Sequence, residues 1–205
     1  MNWQKTTQQA WRNELVSGNY DVFGTLKFAE KKRVGAATAE KLWRAYWHKV
    51  DWVCFGQAAS NGYGVERWCF EERGEYDGNL HLHFVARAPF DTKTFCAVLN
   101  ALWVTSSQKA AALKYNWITP IVNRQKAAGY TIKDTRLFSF GTAGINCSHR
   151  NKTTFINSNF HIQAQVKRIQ NTITGDTFEQ AYDALEEQIL ATQARIQRRN
   201  RRNAA

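Results

Sequence analysis

No run in this sequence comes near the ~18 apolar residues of a membrane span, and the polar opening from Met1 to Gly18 lacks the apolar stretch of a signal peptide. Both absences predict a soluble, intracellular protein with no membrane partner. Its four cysteines, Cys54, Cys69, Cys96 and Cys147, include no Cys-x-x-Cys pair, so neither a thiolate zinc site nor a disulfide framework is written here. Four buried thiols are expected instead. There is no Gly-Lys dipeptide, which excludes an ATP-binding P-loop, and no internal repeat or low-complexity block apart from one arginine stretch. Acids are scarce: 17 Asp and Glu stand against 28 Lys and Arg, a net charge of +11. That excess points to a polyanionic partner, nucleic acid above all. No acid follows Glu187, whereas Arg195, Arg198, Arg199, Arg201 and Arg202 do, so the final segment reads as a basic tail, either a solvated appendage or one that adds sequence-independent phosphate contacts.

What is present suffices for one ordinary domain and a short appendage, since 43% of the 205 residues are apolar. The order of periodicities predicts an α+β fold. Asp21 to Phe28 is a short β-rich run; Leu42, Trp43, Tyr46, Trp47, Val50 and Val53 then recur at helical spacing behind Thr38 as N-cap. Val65 to Glu72 and Asn79 to Arg87 read as a β-hairpin around the turn residues 73–78. Asp91 caps a helix with Phe95, Val98, Leu99, Leu102 and Trp103. Tyr115 to Ile121 forms a further strand, and Asn123 caps a short helix to about Asp134. Thr177 and Gln180 resemble a capping box opening a last helix that runs into the arginines. Between Thr135 and Gly175 short strands and loops are expected.

Two constellations carry chemistry. In the strand Asn79 to Arg87, His81 and His83 share one face while Leu80, Leu82 and Phe84 share the other, the face toward the helices. The preceding strand carries Glu71 and Glu72, one of which must point to the histidine side. Two imidazoles and a carboxylate make a site for Mg²⁺ or Mn²⁺ with open positions, Mn²⁺ being favoured by nitrogen ligands. The second constellation is Tyr130 with Lys133, three residues apart and thus on one helix face, where the ammonium can offset phosphate charge or steady a phenolate. The same spacing recurs at Tyr46 and Lys49, but Tyr46 lies on the apolar stripe of Leu42, Trp43 and Val50 and reads as packing.

In chain order these residues resemble the HUH endonucleases, in particular the single-tyrosine rolling-circle replication initiators (Rep proteins) of plasmids and single-stranded-DNA phages and viruses. Phe23 to Phe28 is similar to the first motif of that family, Asn79 to Phe84 to its His-hydrophobic-His motif, and Tyr130 to Asp134 to its Tyr-x-x-Lys motif. The resemblance covers about residues 20–135 and implies an endonuclease domain over 1–176, with the helix and arginine-rich tail at 177–205. It also implies a central antiparallel sheet flanked by helices in a ferredoxin-type core, and Mn²⁺ or Mg²⁺ on His81, His83 and Glu72, with Glu71 as the alternative. Tyr130 is then the nucleophile forming a 5′-phosphotyrosine, assisted by Lys133. The expected substrate is single-stranded or hairpin origin DNA, with unwinding and synthesis left to a host helicase and DNA polymerase. The cytoplasm of the host cell is the expected compartment, or the nucleus of a eukaryotic host. Lys27, Arg87, Arg124 and Lys126 lie beside the motifs as DNA-binding candidates, joined by Arg198, Arg199, Arg201 and Arg202 of the tail.

A mobilisation relaxase or a single-tyrosine transposase would carry the same site. A non-catalytic DNA-binding repressor would use the same basic surface without the chemistry. Non-haem iron oxygenases and cupins also use two histidines and a carboxylate, but no Glu follows His83 within six residues, and neither class explains Tyr130 or the positive charge.

Overall fold

The computed structural model describes residues 3–30, 32, 34–73, 80–132, 149 and 159–204. Four strands, β1 (Val22–Lys27), β2 (Arg67–Arg73), β3 (Leu80–Ala86) and β4 (Trp117–Pro120), form one antiparallel sheet in the order β2-β3-β1-β4. Helix α2 (Ala36–Phe55) links β1 to β2, and α3 (Thr92–Ser106) links β3 to β4. This is the β-α-β-β-α-β order of a ferredoxin-like sheet. The protein is therefore α+β, an antiparallel sheet flanked by helices, as the periodicities predict.

Strand alternation divides the sheet into two faces. Val22, Leu26, Leu82, Phe84, Cys69 and Ile118 point to α2 and α3 and join Trp43, Tyr46, Trp47, Leu99 and Trp103 in the main core. Gly24 is required within it: a Cβ there would lie 2.1 Å from Cζ of Phe84, its partner across the β1–β3 ladder. The opposite face carries a smaller cluster of Leu15, Tyr20, Phe70, Val85, Ala128 and Ile132, covered by α1 (Trp3–Ser17) and α4 (Arg124–Thr131). Trp11 of α1 stands edge-on to Trp68 and Phe70, with centroids 4.9 and 5.3 Å away.

Helix α1 is not foreseen in the sequence because its stripe is thin: Trp11, Leu15 and Val16 are its packed apolar residues, and they make a helix face only against the sheet. Helix α5 (Asn159–Thr172) lies where strands and loops were expected, and its Arg168 hydrogen-bonds the carbonyls of Val53 and Cys54 at the end of α2. Two predicted caps are displaced. Helix α2 starts at Ala36 behind Gly35 rather than Thr38, and α6 (Gly175–Ala204) is capped by Thr174, whose hydroxyl accepts from the Thr177 amide at 3.3 Å. Asp91 and Asn123 cap α3 and α4 as expected, accepting from the amides of Thr94 and Lys126 at 2.8 and 2.9 Å.

Helix α6 packs along α3 and buries Ala181 and Leu185 in the main core, with Lys93 bonded to Glu186 at 2.7 Å. The arginines expected as a tail continue this helix. Cys54, Cys69 and Cys96 are free and buried, and burial pushes the thiols of Cys54 and Cys96 well up; Cys147 lies outside the described residues. Among the described residues no helix is long and apolar enough to cross a membrane.

Candidate active site

The register decides which glutamate accompanies the histidines. Glu72 pairs with His81 and Phe70 with His83, so Glu72 shares their face, whereas Glu71 pairs with Leu82 and points to the helix-covered side. On the other flank Thr25 pairs with His83 and Lys27 with His81. One face of the three adjacent strands thus gathers Glu72, His81, His83, Thr25 and Lys27, from segments separated by up to 58 positions.

His83 is the fixed point of this group. Its Nδ1 is 2.9 Å from the Thr25 hydroxyl, which leaves Nε2 turned to Oε2 of Glu72. Both imidazoles were expected on an open face, and the face is the expected one, but His83 is only 2% exposed. The second cluster and Tyr130 roof it over: the Tyr130 ring stands perpendicular to His83 at 5.2 Å and to Phe23 at 5.6 Å. His81, two residues earlier at the rim, is partly exposed, its ring parallel to that of His83 with centroids 6.4 Å apart.

Tyr130 reaches this place from the last turn of α4, with half of its surface exposed. Ala128 and Ile132, on the other side of the chain, anchor it in the smaller cluster. Lys133 lies outside the described residues. Tyr46 is fully buried; its hydroxyl donates to the Leu99 carbonyl at 3.1 Å, and burial raises its pKa well above the ordinary phenol value. It is a packing residue, as its place on the apolar stripe predicts.

Glu72, His83 and His81 are the residues on this face that could hold a divalent ion. Nε2 of His83 and Oε2 of Glu72 converge, a hydroxyl orients His83 from behind as metal-binding imidazoles require, and His81 is the adjacent third donor. As the side chains lie, no three His, Cys, Asp or Glu groups among the described residues are placed to hold a metal ion together.

The basic candidates fall into two groups. Lys27, Lys126 and Arg199 line a groove that begins at Tyr130. Arg87 instead pairs with Glu66 at 3.1 Å and donates to the Gly18 carbonyl, and Arg124 donates to Asn19 Oδ1 at 2.8 Å, so these two fasten the corner between α1 and β1. Arg198, Arg201 and Arg202 are exposed on α6 outside the groove. Sequence reasoning gave no role to Thr25, although alternation from Lys27 already puts it on the histidine face. No protein-family model, curated protein or solved structure matches this chain.

Proposed function

We propose that this protein is a metal-dependent nuclease of the HUH type that cuts and rejoins single-stranded DNA through a 5′-phosphotyrosine on Tyr130, the reaction that initiates rolling-circle replication in a host cell. The observation that carries this reading is the placement of a half-exposed phenol over a buried histidine already oriented by a hydroxyl and facing a carboxylate. A structural tyrosine of that cluster would turn its ring inward, as Tyr20 does.

In this reaction the Tyr130 hydroxyl attacks phosphorus in line. The P–O3′ bond breaks as the P–Oη bond forms, and the proton lost by the phenol is matched by the one the 3′-oxygen gains on leaving as a free 3′-OH. An incoming 3′-OH reverses the exchange and rejoins strands without ATP, because the ester keeps the energy of the cleaved bond. Thr25 holds the His83 ring in one orientation through Nδ1, and Lys27, beside His81, offsets phosphate charge. Mn²⁺ or Mg²⁺ on His81, His83 and Glu72 would supply Lewis-acid polarisation of a non-bridging oxygen.

The test uses a pool of single-stranded oligonucleotides of randomised sequence, labelled at the 3′ end, incubated with the full chain and Mn²⁺ and run on a denaturing gel. A labelled adduct that disappears in Tyr130→Phe, with the nucleotide mass on the Tyr130 peptide, is the expected result. Binding without an adduct would favour a repressor, and a nucleotide on another tyrosine would overturn the assignment.

A further inference from the structure

Helix α6 changes character along one stripe. Ala181 and Leu185 are buried in the main core and Ile189 packs against it; one turn on come Thr192, then Arg195, Ile196 and Arg199, at the same helical spacing. The helix is fastened just before this change, where Gln188 donates to the Asn116 carbonyl at 2.7 Å, at the start of β4. Beyond that bond the stripe faces neither core cluster of the described residues. It faces a groove of about 700 Å³ whose other wall is the site face of β1 and β4 and the exposed side of α4.

The chemistry of this groove is one-sided. Lys27, Lys126, Arg195 and Arg199 line it, and among the described residues no carboxylate does. Its floor includes Trp117, which pairs with Thr25 across β1 and β4 and so presents its ring on the face that carries His83. Lys126 stands one helical turn before Tyr130, and both line the groove. A cationic trough with an aromatic floor, walled on both sides, suits an unpaired nucleic-acid strand better than a duplex, because phosphates take the cations while splayed bases stack on the ring.

We propose that the single strand runs through this groove, and that Arg195 and Arg199 grip its backbone as it leaves Tyr130, whereas Arg198, Arg201 and Arg202 contribute only general positive charge. The proposal rests on the nicking reading for the identity of the strand, but it is tested by binding alone, in a Tyr130→Phe background that cannot turn over. The probe is fluorescein-labelled oligothymidylate, titrated by anisotropy over a range of salt. Arg195→Gln with Arg199→Gln should weaken binding tenfold or more and lower the slope of log affinity against log salt by about 1.4, at ~0.7 per phosphate contact on a single strand. Arg198→Gln with Arg201→Gln removes the same charge and should change both quantities clearly less.

Equal losses from the two pairs would overturn the proposal in favour of a diffuse tail, and so would no loss from either. The same oligothymidylate annealed to oligoadenylate provides the remaining control. If the groove pair weakens duplex binding as much as single-strand binding, the groove does not select an unpaired strand. Absence of any adduct with the parent protein in the nicking assay, with the groove pair still distinguished here, would sink the catalytic reading and leave the binding path standing.

Discussion

Replacing Asp51 with asparagine removes one charge from a pair that ties the start of β2 to α2. Asp51 and Arg67 are 8% and 5% exposed; the guanidinium meets the carboxylate with two bonds, of 2.8 and 3.0 Å. Oδ1 also accepts from the Val65 amide at 2.9 Å, and the Arg67 cation lies 4.4 Å above the Trp47 ring. Asparagine keeps the volume and one acceptor but leaves a buried cation without its counter-charge. Breaking such a pair costs about 3–5 kcal/mol, and the retained acceptor argues for the lower end, about 3 kcal/mol. For a domain of this size that is a loss of roughly 6–12 °C in Tm. Urea denaturation followed by tryptophan fluorescence should show the midpoint falling with the m-value unchanged. The double variant Asp51→Asn with Arg67→Met should recover part of the loss, since no charge is then stranded. A single-variant loss below about 1 kcal/mol, or a double variant no better than the single, would refute the account of this pair.

Gly24→Ala should cost about 1–3 kcal/mol by forcing Phe84 aside, and pairing it with Phe84→Leu should return some of that in the same denaturation assay. Thr25→Val keeps the shape but strands Nδ1 of His83, so stability should fall by about 1–3 kcal/mol and Mn²⁺ affinity by roughly 10–100-fold in calorimetric titration; unchanged Mn²⁺ binding would end the orienting role of Thr25. Tyr46→Phe should lose about 0.5–1.5 kcal/mol and nick DNA as well as the parent, separating the buried tyrosine from Tyr130. Asp91→Ala should cost about 1 kcal/mol. The hydrogen bonds from Thr94 hold the Asp91 carboxyl below the usual carboxylate range, so its contribution is complete above its unfolded pKa near 3.9 and disappears as pH falls through the lower folded value. A parent–variant difference that stays constant through acid titration would contradict this.

Strand alternation and capping chemistry are local, which is why the four strands, the caps at Asp91 and Asn123 and the shared face of His81 and His83 were legible in the sequence. The choice between Glu71 and Glu72 was not, because alternation within β2 makes one of them face the histidines without saying which, and only pairing across the hairpin decides. Helix α1 stayed hidden for a related reason: Trp11 earns its meaning from Trp68 and Phe70, far along the chain. The burial of His83 follows from α4 folding back over the sheet, a tertiary event that a strand pattern does not encode. Arginines read as a tail because polarity alone cannot tell a solvated helix from a free end; Gln188 on Asn116 tells them apart.

The histidines and Tyr130 are held by unequal parts of the molecule. His81 and His83 lie on β3, hydrogen-bonded on both flanks between β2 and β1 and backed by the main core. Tyr130 rides on an eight-residue helix whose buried anchors belong to the smaller cluster. Local opening free energies follow such differences in burial. In native-state hydrogen exchange the amides of β3 should therefore open only with the whole domain, and those of α4 well before it. On the proposed nicking reading, the phenol then rides on the less protected element above the better protected one, so a strand that displaces α4 leaves the register of His81 and His83 between β2 and β1 intact.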